Sequence, residues 1–277
     1  MTGDRPYETA GIMAGIYGDG YISMANAYEV SLIGAMRASI ETLYAEACQA
    51  DQGILPRGPE RYYVEVAPER IDGCVDILSH PWFVAVNEAV LGPEWRIVEV
   101  GFDIPFPGAT TQPWHRDFRS PEATSIGRHI TSLAFNLTAV DTTLDMGPFE
   151  IAPGTQWDAI DECPHGMFPD RSRWPRYEGL AIAKLAQRGS ISARSALTIH
   201  RGTANRSDKA RPVLVIGVDG PDARNSDHHD LQMTRAFKAA LPPVLKGRFK
   251  GRVVDRISGV RQNHVIDGLI APIADGY

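Results

Sequence analysis

The stretch ISARSALTIHRGTANRSDKARPVLVIGVD, residues 191–219, carries two apolar runs separated by a polar loop. In the first, Ile191, Ala193, Ser195, Leu197 and Ile199 alternate with the residues between them, the period-two pattern of a strand with one covered face. The second, Pro212 to Val218, is continuously apolar, as a strand covered on both faces would be. If the two runs pair as antiparallel neighbours, their ends lie about 5 Å apart. His200 would then close the first strand and Arg211 would open the second.

Outward from this stretch, similar texture continues. Trp95 to Phe106, Ile130 to Val140 and Phe149 to Ala152 are β-branched and aromatic runs punctuated by Gly and Pro. Gly147-Pro148 and Pro153-Gly154 read as hairpin punctuation, since Gly supplies the positive φ of a type II turn. The N-terminal third differs. Residues 27–47 place Ile33, Met36, Ile40, Leu43 and Ala47 at helical steps, and a second helix is predicted from Pro81 to Leu91, with Ser79 as cap and Gly92-Pro93 as stop. Pro164 to Arg188 reads as an irregular excursion, and helical character returns from Met233 to Leu241, with Asp230 as cap. The expected architecture is α+β, a sheet-on-sheet core with helices outside it. It forms one domain over 1–277: a helical part over about 1–94, a barrel core over about 95–220 and a tail over 221–277.

Composition bounds the partners. The 277 residues include 28 Lys+Arg against 34 Asp+Glu, a net charge of −6, with 43% hydrophobic and 22% charged residues. Such a chain is too apolar for intrinsic disorder and too polar for an integral membrane protein. Its acidic balance without basic runs argues against nucleic acid or an anionic membrane as partner. Cys48, Cys74 and Cys163 form no Cys-x-x-Cys pair and read as buried free thiols. With no apolar leader segment, cytoplasmic residence is the expectation.

The residues that could carry chemistry sit around this core. In Gln112-Pro113-Trp114-His115-Arg116-Asp117 an imidazole and a carboxylate stand two apart, so an extended backbone projects both from one face. A surface pair that happens to alternate is the better explanation of His-x-Asp alone; a metal site needs a third ligand, for which His200 is the candidate. Two His and one carboxylate on one face of an ion leave the opposite positions open, the arrangement that suits non-haem Fe(II). Arg211 could then hold a ligand's carboxylate through two parallel hydrogen bonds, or else form a rim salt bridge.

These residues resemble the phytanoyl-CoA dioxygenase-like branch of the Fe(II)/2-oxoglutarate-dependent oxygenases. The resemblance rests on His115-x-Asp117, on Asp145-Met146-Gly147-Pro148-Phe149-Glu150-Ile151-Ala152-Pro153-Gly154-Thr155, and on His200 with Arg211 eleven residues later. Tyr17-Gly18-Asp19-Gly20-Tyr21-Ile22 before an amphipathic helix is similar to that family's opening segment. The resemblance implies a double-stranded β-helix, a jelly-roll or cupin-like barrel with flanking N-terminal and C-terminal helices. It implies His115, Asp117 and His200 as ligands of Fe(II), Arg211 on the distal carboxylate of 2-oxoglutarate, and Gln112 as a further co-substrate contact. The implied reaction consumes 2-oxoglutarate and O₂, releases succinate and CO₂, and hydroxylates or otherwise oxidises an unactivated C–H bond. Since Asp117 keeps the carboxylate that related halogenases lack, halogenation is not implied. The chain departs from the family twice. Gly202 stands where a hydroxyl residue often touches 2-oxoglutarate, and Gln156 stands where relatives often carry His.

Two other readings use the same donors: a zinc-dependent hydrolase, in which Arg211 has no task, and a non-catalytic small-molecule-binding barrel. The excursion, with Arg171, Arg173, Arg176, Lys184 and Arg188, reads either as a lid over an anionic or polar substrate or as a solvated loop. His228-His229-Asp230 reads as solvent-facing, and His80, His129, His165 and His264 have no partner at ligand spacing.

Overall fold

The computed structural model describes residues 8–118, 122–159 and 166–262. The elements run, in chain order, α1 (Thr9–Ala14), β1 (Tyr21–Met24), α2 (Val30–Gln49), β2 (Leu55–Pro56), β3 (Arg61–Glu65), α3 (Cys74–Leu78), α4 (Pro81–Leu91), β4 (Arg96–Pro105), α5 (Glu122–Gly127), β5 (Ser132–Thr138), β6 (Phe149–Ile151), α6 (Trp174–Leu180), β7 (Ile182–Lys184), β8 (Ile191–Ser195), β9 (His200–Gly202), β10 (Val213–Asp219), β11 (Gln232–Thr234), α7 (Arg235–Ala240) and β12 (Arg252–Val254). Seven strands form a large antiparallel sheet in the order β1-β8-β5-β10-β4-β3-β2, and three form a small one, β7-β6-β9. This is the double-stranded β-helix, with β11 and β12 pairing separately.

The apolar patterning explains the packing. All seven residues of β10 are buried, because β4 and β5 flank it and side chains cover both faces. Helix α2 buries Ile33, Met36, Ile40, Leu43 and Ala47, the stripe read from its period. Phe83 of α4 lies 4.5 Å from Phe135 of β5 and 5.9 Å from Trp95, ring centre to ring centre, and these fully buried aromatics fasten the helix to the sheet.

Several expectations need correction. The runs 191–199 and 212–218 do not pair: β5 lies between β8 and β10. The first run also breaks, since β8 ends at Ser195 in the large sheet and β9 begins at His200 in the small one. The N-terminal part is not only helical; β1, β2 and β3 form both edges of the large sheet. Helix α4 has the expected bounds, but its cap is the His80 ring, whose Nδ1 accepts from the Trp82 amide at 3.2 Å. In the tail, Thr234 caps α7, whereas Asp230 is engaged by Arg252 and Gln232. Residues 166–188 supply α6 and β7, with Met167, Phe168 and Tyr177 buried, so this part of the excursion is packed structure. Cys74 is buried as expected and Cys48 is exposed, while Cys163, His165 and His264 lie outside the described residues.

Candidate metal and dicarboxylate site

Residues 112–117 run antiparallel beside β9. The Gln112 amide donates to the Gly202 carbonyl at 2.9 Å, His115 and His200 exchange both backbone hydrogen bonds at 2.9 and 2.8 Å, and the Asp117 amide donates to Ala196 at 2.9 Å. Alternation along this extended segment sends Trp114 into a separate buried cluster with Tyr177, Ala152 and Ile199. His115 and Asp117 instead face a cavity of about 530 Å³. The strand pairing brings the two imidazoles within 4.4 Å, centre to centre, and His200 Nε2 lies 3.3 Å from Asp117 Oδ1. The three residues are therefore brought together from two chain segments.

Their protonation is set locally. His115 Nδ1 donates to the Pro113 carbonyl and His200 Nδ1 to the Thr198 carbonyl, each at 2.8 Å, leaving both Nε2 atoms as lone-pair donors. Burial pushes the His115 pKa well down, aided by the charge of His200; burial and then Arg194 lower that of His200. Both rings are neutral near pH 7. Burial alone would raise the Asp117 carboxyl, but Arg194 and His200 together hold it below the ordinary carboxylate range.

Among the described residues no three His, Cys, Asp or Glu side chains stand at metal-holding distances. Arg194 on β8 stands between the donors, its Nη2 reaching both Asp117 Oδ1 at 2.8 Å and His200 Nε2 at 3.2 Å. A cation thus stands among the donors, and Asp117 Oδ2 is buried without a hydrogen-bond partner. Two neutral imidazoles whose Nε2 atoms carry lone pairs, that of His200 accepting from Arg194, and a carboxylate with an orphaned oxygen form a donor set that fits a divalent ion.

Arg211 faces a second cavity, of about 480 Å³, whose walls include Gln112, Gly202, Arg61, Lys184 and Arg194. It is buried, its amide donates to the Pro105 carbonyl at 3.1 Å, and its Nε has no partner. Gln112 lines the same cavity, with its side-chain oxygen accepting from the Gly202 amide at 3.0 Å. Arg57 and Arg194 border both cavities.

The family model of phytanoyl-CoA dioxygenase (PhyH) matches residues 16–213. The chain belongs to that family. Comparison with the curated proteins finds no match. Among solved structures, the chain is similar to the epimerase SnoN, in a complex with Fe³⁺, alpha-ketoglutarate and nogalamycin RO, at 18% identity and a TM-score of 0.63, over 93% of this chain and 96% of that one. EctD from S. alaskensis, with 2-oxoglutarate and 5-hydroxyectoine, is 15% identical with a TM-score of 0.62, over 79% and 78% of the two chains. HygX from Streptomyces hygroscopicus, with nickel and 2-oxoglutarate bound, is 12% identical with a TM-score of 0.60, over 82% and 91%. These likenesses match the double-stranded β-helix of the phytanoyl-CoA dioxygenase family.

Sequence reasoning gave no role to two residues here, Arg194 and Arg61, and placed a third, Lys184, among the cations of a possible lid. Arg194 sits on the face of β8 toward the donors, between small residues in an alternating run, where its spacing from His200 gave the only clue. Lys184 on β7 hydrogen-bonds the Ser192 hydroxyl and is pushed down to about 7 by burial, then by Arg194 and Arg211. Arg61 on β3 carried no motif. The pair His228-His229 also needs correction: His229 is mostly buried, 3.0 Å from Glu65 Oε2 and 3.8 Å from Glu99 Oε2.

Proposed function

We propose that this chain is an Fe(II)- and 2-oxoglutarate-dependent dioxygenase that oxidises an unactivated C–H bond of a small organic metabolite, hydroxylation being the default outcome. The observation that carries the reading is the convergence of His115, Asp117 and His200 on Arg194, the residue through which the cavity faced by His115 and Asp117 adjoins the one lined by buried Arg211, whose Nε is unpartnered.

His115 and His200 would offer Nε2 to the iron, and Asp117 would offer Oδ2, the oxygen that Arg194 leaves free. The backbone carbonyls of Pro113 and Thr198 orient the rings, and Arg194 holds the carboxylate in its ionised form. Arg211 would bind the distal carboxylate of 2-oxoglutarate, with Gln112 beside it. When bound, the iron and 2-oxoglutarate supply the oxidising power, with succinate and CO₂ released. The protein's part is to hold the substrate carbon near that centre and exclude water. The cavity bordered by His115 and Asp117 is walled by Leu133, Met167, Val215 and Val218 together with Arg57, Arg194, Glu99 and Asp219, a mixed surround suited to an organic substrate that carries both apolar and polar groups. A zinc hydrolase would leave the buried cation Arg211 without a task.

The test is succinate formation from 2-oxoglutarate in the presence of Fe(II), O₂ and a panel of small metabolites. Succinate released by the parent chain and absent in His200→Ala supports the reading; hydrolysis of an ester or amide sustained by Zn²⁺ alone would replace it.

A further inference from the structure

The volume beside Gly202 is already filled. An ideal Cβ on this residue would lie 1.8 Å from Arg61 Nη1, 2.3 Å from Nη2 and 2.4 Å from Cζ. Position 202 cannot yield, because it is fixed on both sides: it pairs with Phe149 of β6, its amide donates to the Gln112 side chain, and its carbonyl accepts from the Gln112 amide. The missing side chain at 202 and the guanidinium of Arg61 therefore compete for one place, and this sequence has chosen the guanidinium.

Arg61 is 1% exposed, and its Nε and Nη2 have no hydrogen-bond partner. The carboxylate paired with it, on Asp103, lies 3.7 Å from Nε, beyond hydrogen-bond reach. Burying a guanidinium with open donors is costly, so such a group is expected to meet an anion when the protein is loaded. Arg61 also stands beside Arg211. Arg61 pairs opposite Pro105 across β3 and β4, and the Arg211 amide bonds the Pro105 carbonyl, so one residue of β4 sets both. Burial and then the charge of Arg61 push Arg211 down to about 10, which shows that the two cations feel each other.

Resting on the oxygenase reading, the geometry points to Arg61 as a second arginine on the distal carboxylate of 2-oxoglutarate, occupying the place of the hydroxyl side chain that Gly202 lacks. Two guanidinium groups then grip one carboxylate, and Gly202 is the residue that lets the second approach.

The experiment is calorimetric titration of the Fe(II)-loaded chain, without oxygen, with 2-oxoglutarate and with pyruvate, which shares the keto-acid end but has no distal carboxylate. Arg61→Ala should raise the Kd for 2-oxoglutarate on the order of ten- to a hundredfold while leaving that for pyruvate at the parent value. Arg61→Gln, which keeps most of the volume under Gly202, should do the same and guards against a fold lost by truncation. Gly202→Ser should weaken 2-oxoglutarate binding in the parent, where it displaces the guanidinium, and strengthen it in the Arg61→Ala background, where the hydroxyl finds room. Parent-like 2-oxoglutarate binding in Arg61→Gln, an equal loss of 2-oxoglutarate and pyruvate, or a weakening by Gly202→Ser in both backgrounds overturns the inference. If Arg211→Ala loses 2-oxoglutarate while Arg61→Gln keeps it, the oxygenase reading stands and the second arginine falls. If the parent chain binds no 2-oxoglutarate, both fall.

Discussion

The two cavities that meet at Arg57 and Arg194 differ in the charges the rest of their walls carry and in how most of those charges are met. One is walled by Arg57, Arg61, Lys184, Arg194 and Arg211 against Asp103, and the Nε atoms of all four arginines lack partners. The other contains Glu99 and Asp219, whose acids are answered from within the fold. Asp219 accepts from Ser132 and from the side chain and backbone of Asn225. Glu99 accepts from the Tyr63 hydroxyl, and nearby Glu65 accepts from His229. Charges left open in a buried place await a ligand, whereas charges closed among themselves hold the structure together. The first chamber is thus read as a binding site and the acidic wall of the second as a scaffold.

The largest effect is expected where the chambers meet. His200→Ala removes a donor from the set, and succinate release should fall to the uncatalysed background while the fold persists, as judged by circular dichroism. On the cationic side, Arg211→Ala should raise the KM for 2-oxoglutarate roughly 30- to 1000-fold, the cost of truncating one partner of a buried charge pair. Its melting temperature should not fall, because the change relieves the repulsion from Arg61. A lowered melting temperature with an unchanged KM would make Arg211 part of the scaffold and break the contrast.

On the acidic side the effect is smaller and appears as stability. Burial lowers the His229 pKa, but Glu99 and Glu65 outweigh it and raise the pKa from 6.5 to about 9. The folded state therefore holds this proton more tightly than the unfolded chain. That contribution is complete below pH 6.5 and disappears as the pH rises through about 9, on the order of 1–3 kcal/mol. Denaturant unfolding from pH 6.5 to 9 should show this loss in the parent and a flatter profile in His229→Gln, with 2-oxoglutarate affinity unchanged. A His229→Gln chain that keeps the full pH dependence would assign it elsewhere.

Much of this was legible along the chain, for identifiable reasons. Helices α2 and α4 declare themselves because one stripe of each is apolar, and His115 and Asp117 share a face because alternation is a local property of extended backbone. The pairing of 191–199 with 212–218 failed because both runs are apolar and pairing is a tertiary choice; nothing local reveals that β5 inserts between β8 and β10, or that the chain changes sheets between Ser195 and His200. His229 looked exposed beside His228 because its partners, Glu65 and Glu99, are far away in sequence. Arg61 had no motif, yet the Gly at 202 in place of a hydroxyl marks the space that its guanidinium fills.

The central proposal is that His115, Asp117 and His200 would hold Fe(II), with 2-oxoglutarate bound by the arginine-lined chamber. The most direct measurement is the visible absorption of the chain mixed anaerobically with Fe(II) and then with 2-oxoglutarate. A weak charge-transfer band that forms only after 2-oxoglutarate is added, and that is absent in His115→Ala, is the expected result. No band in the parent chain, or the same band in His115→Ala, would contradict the account.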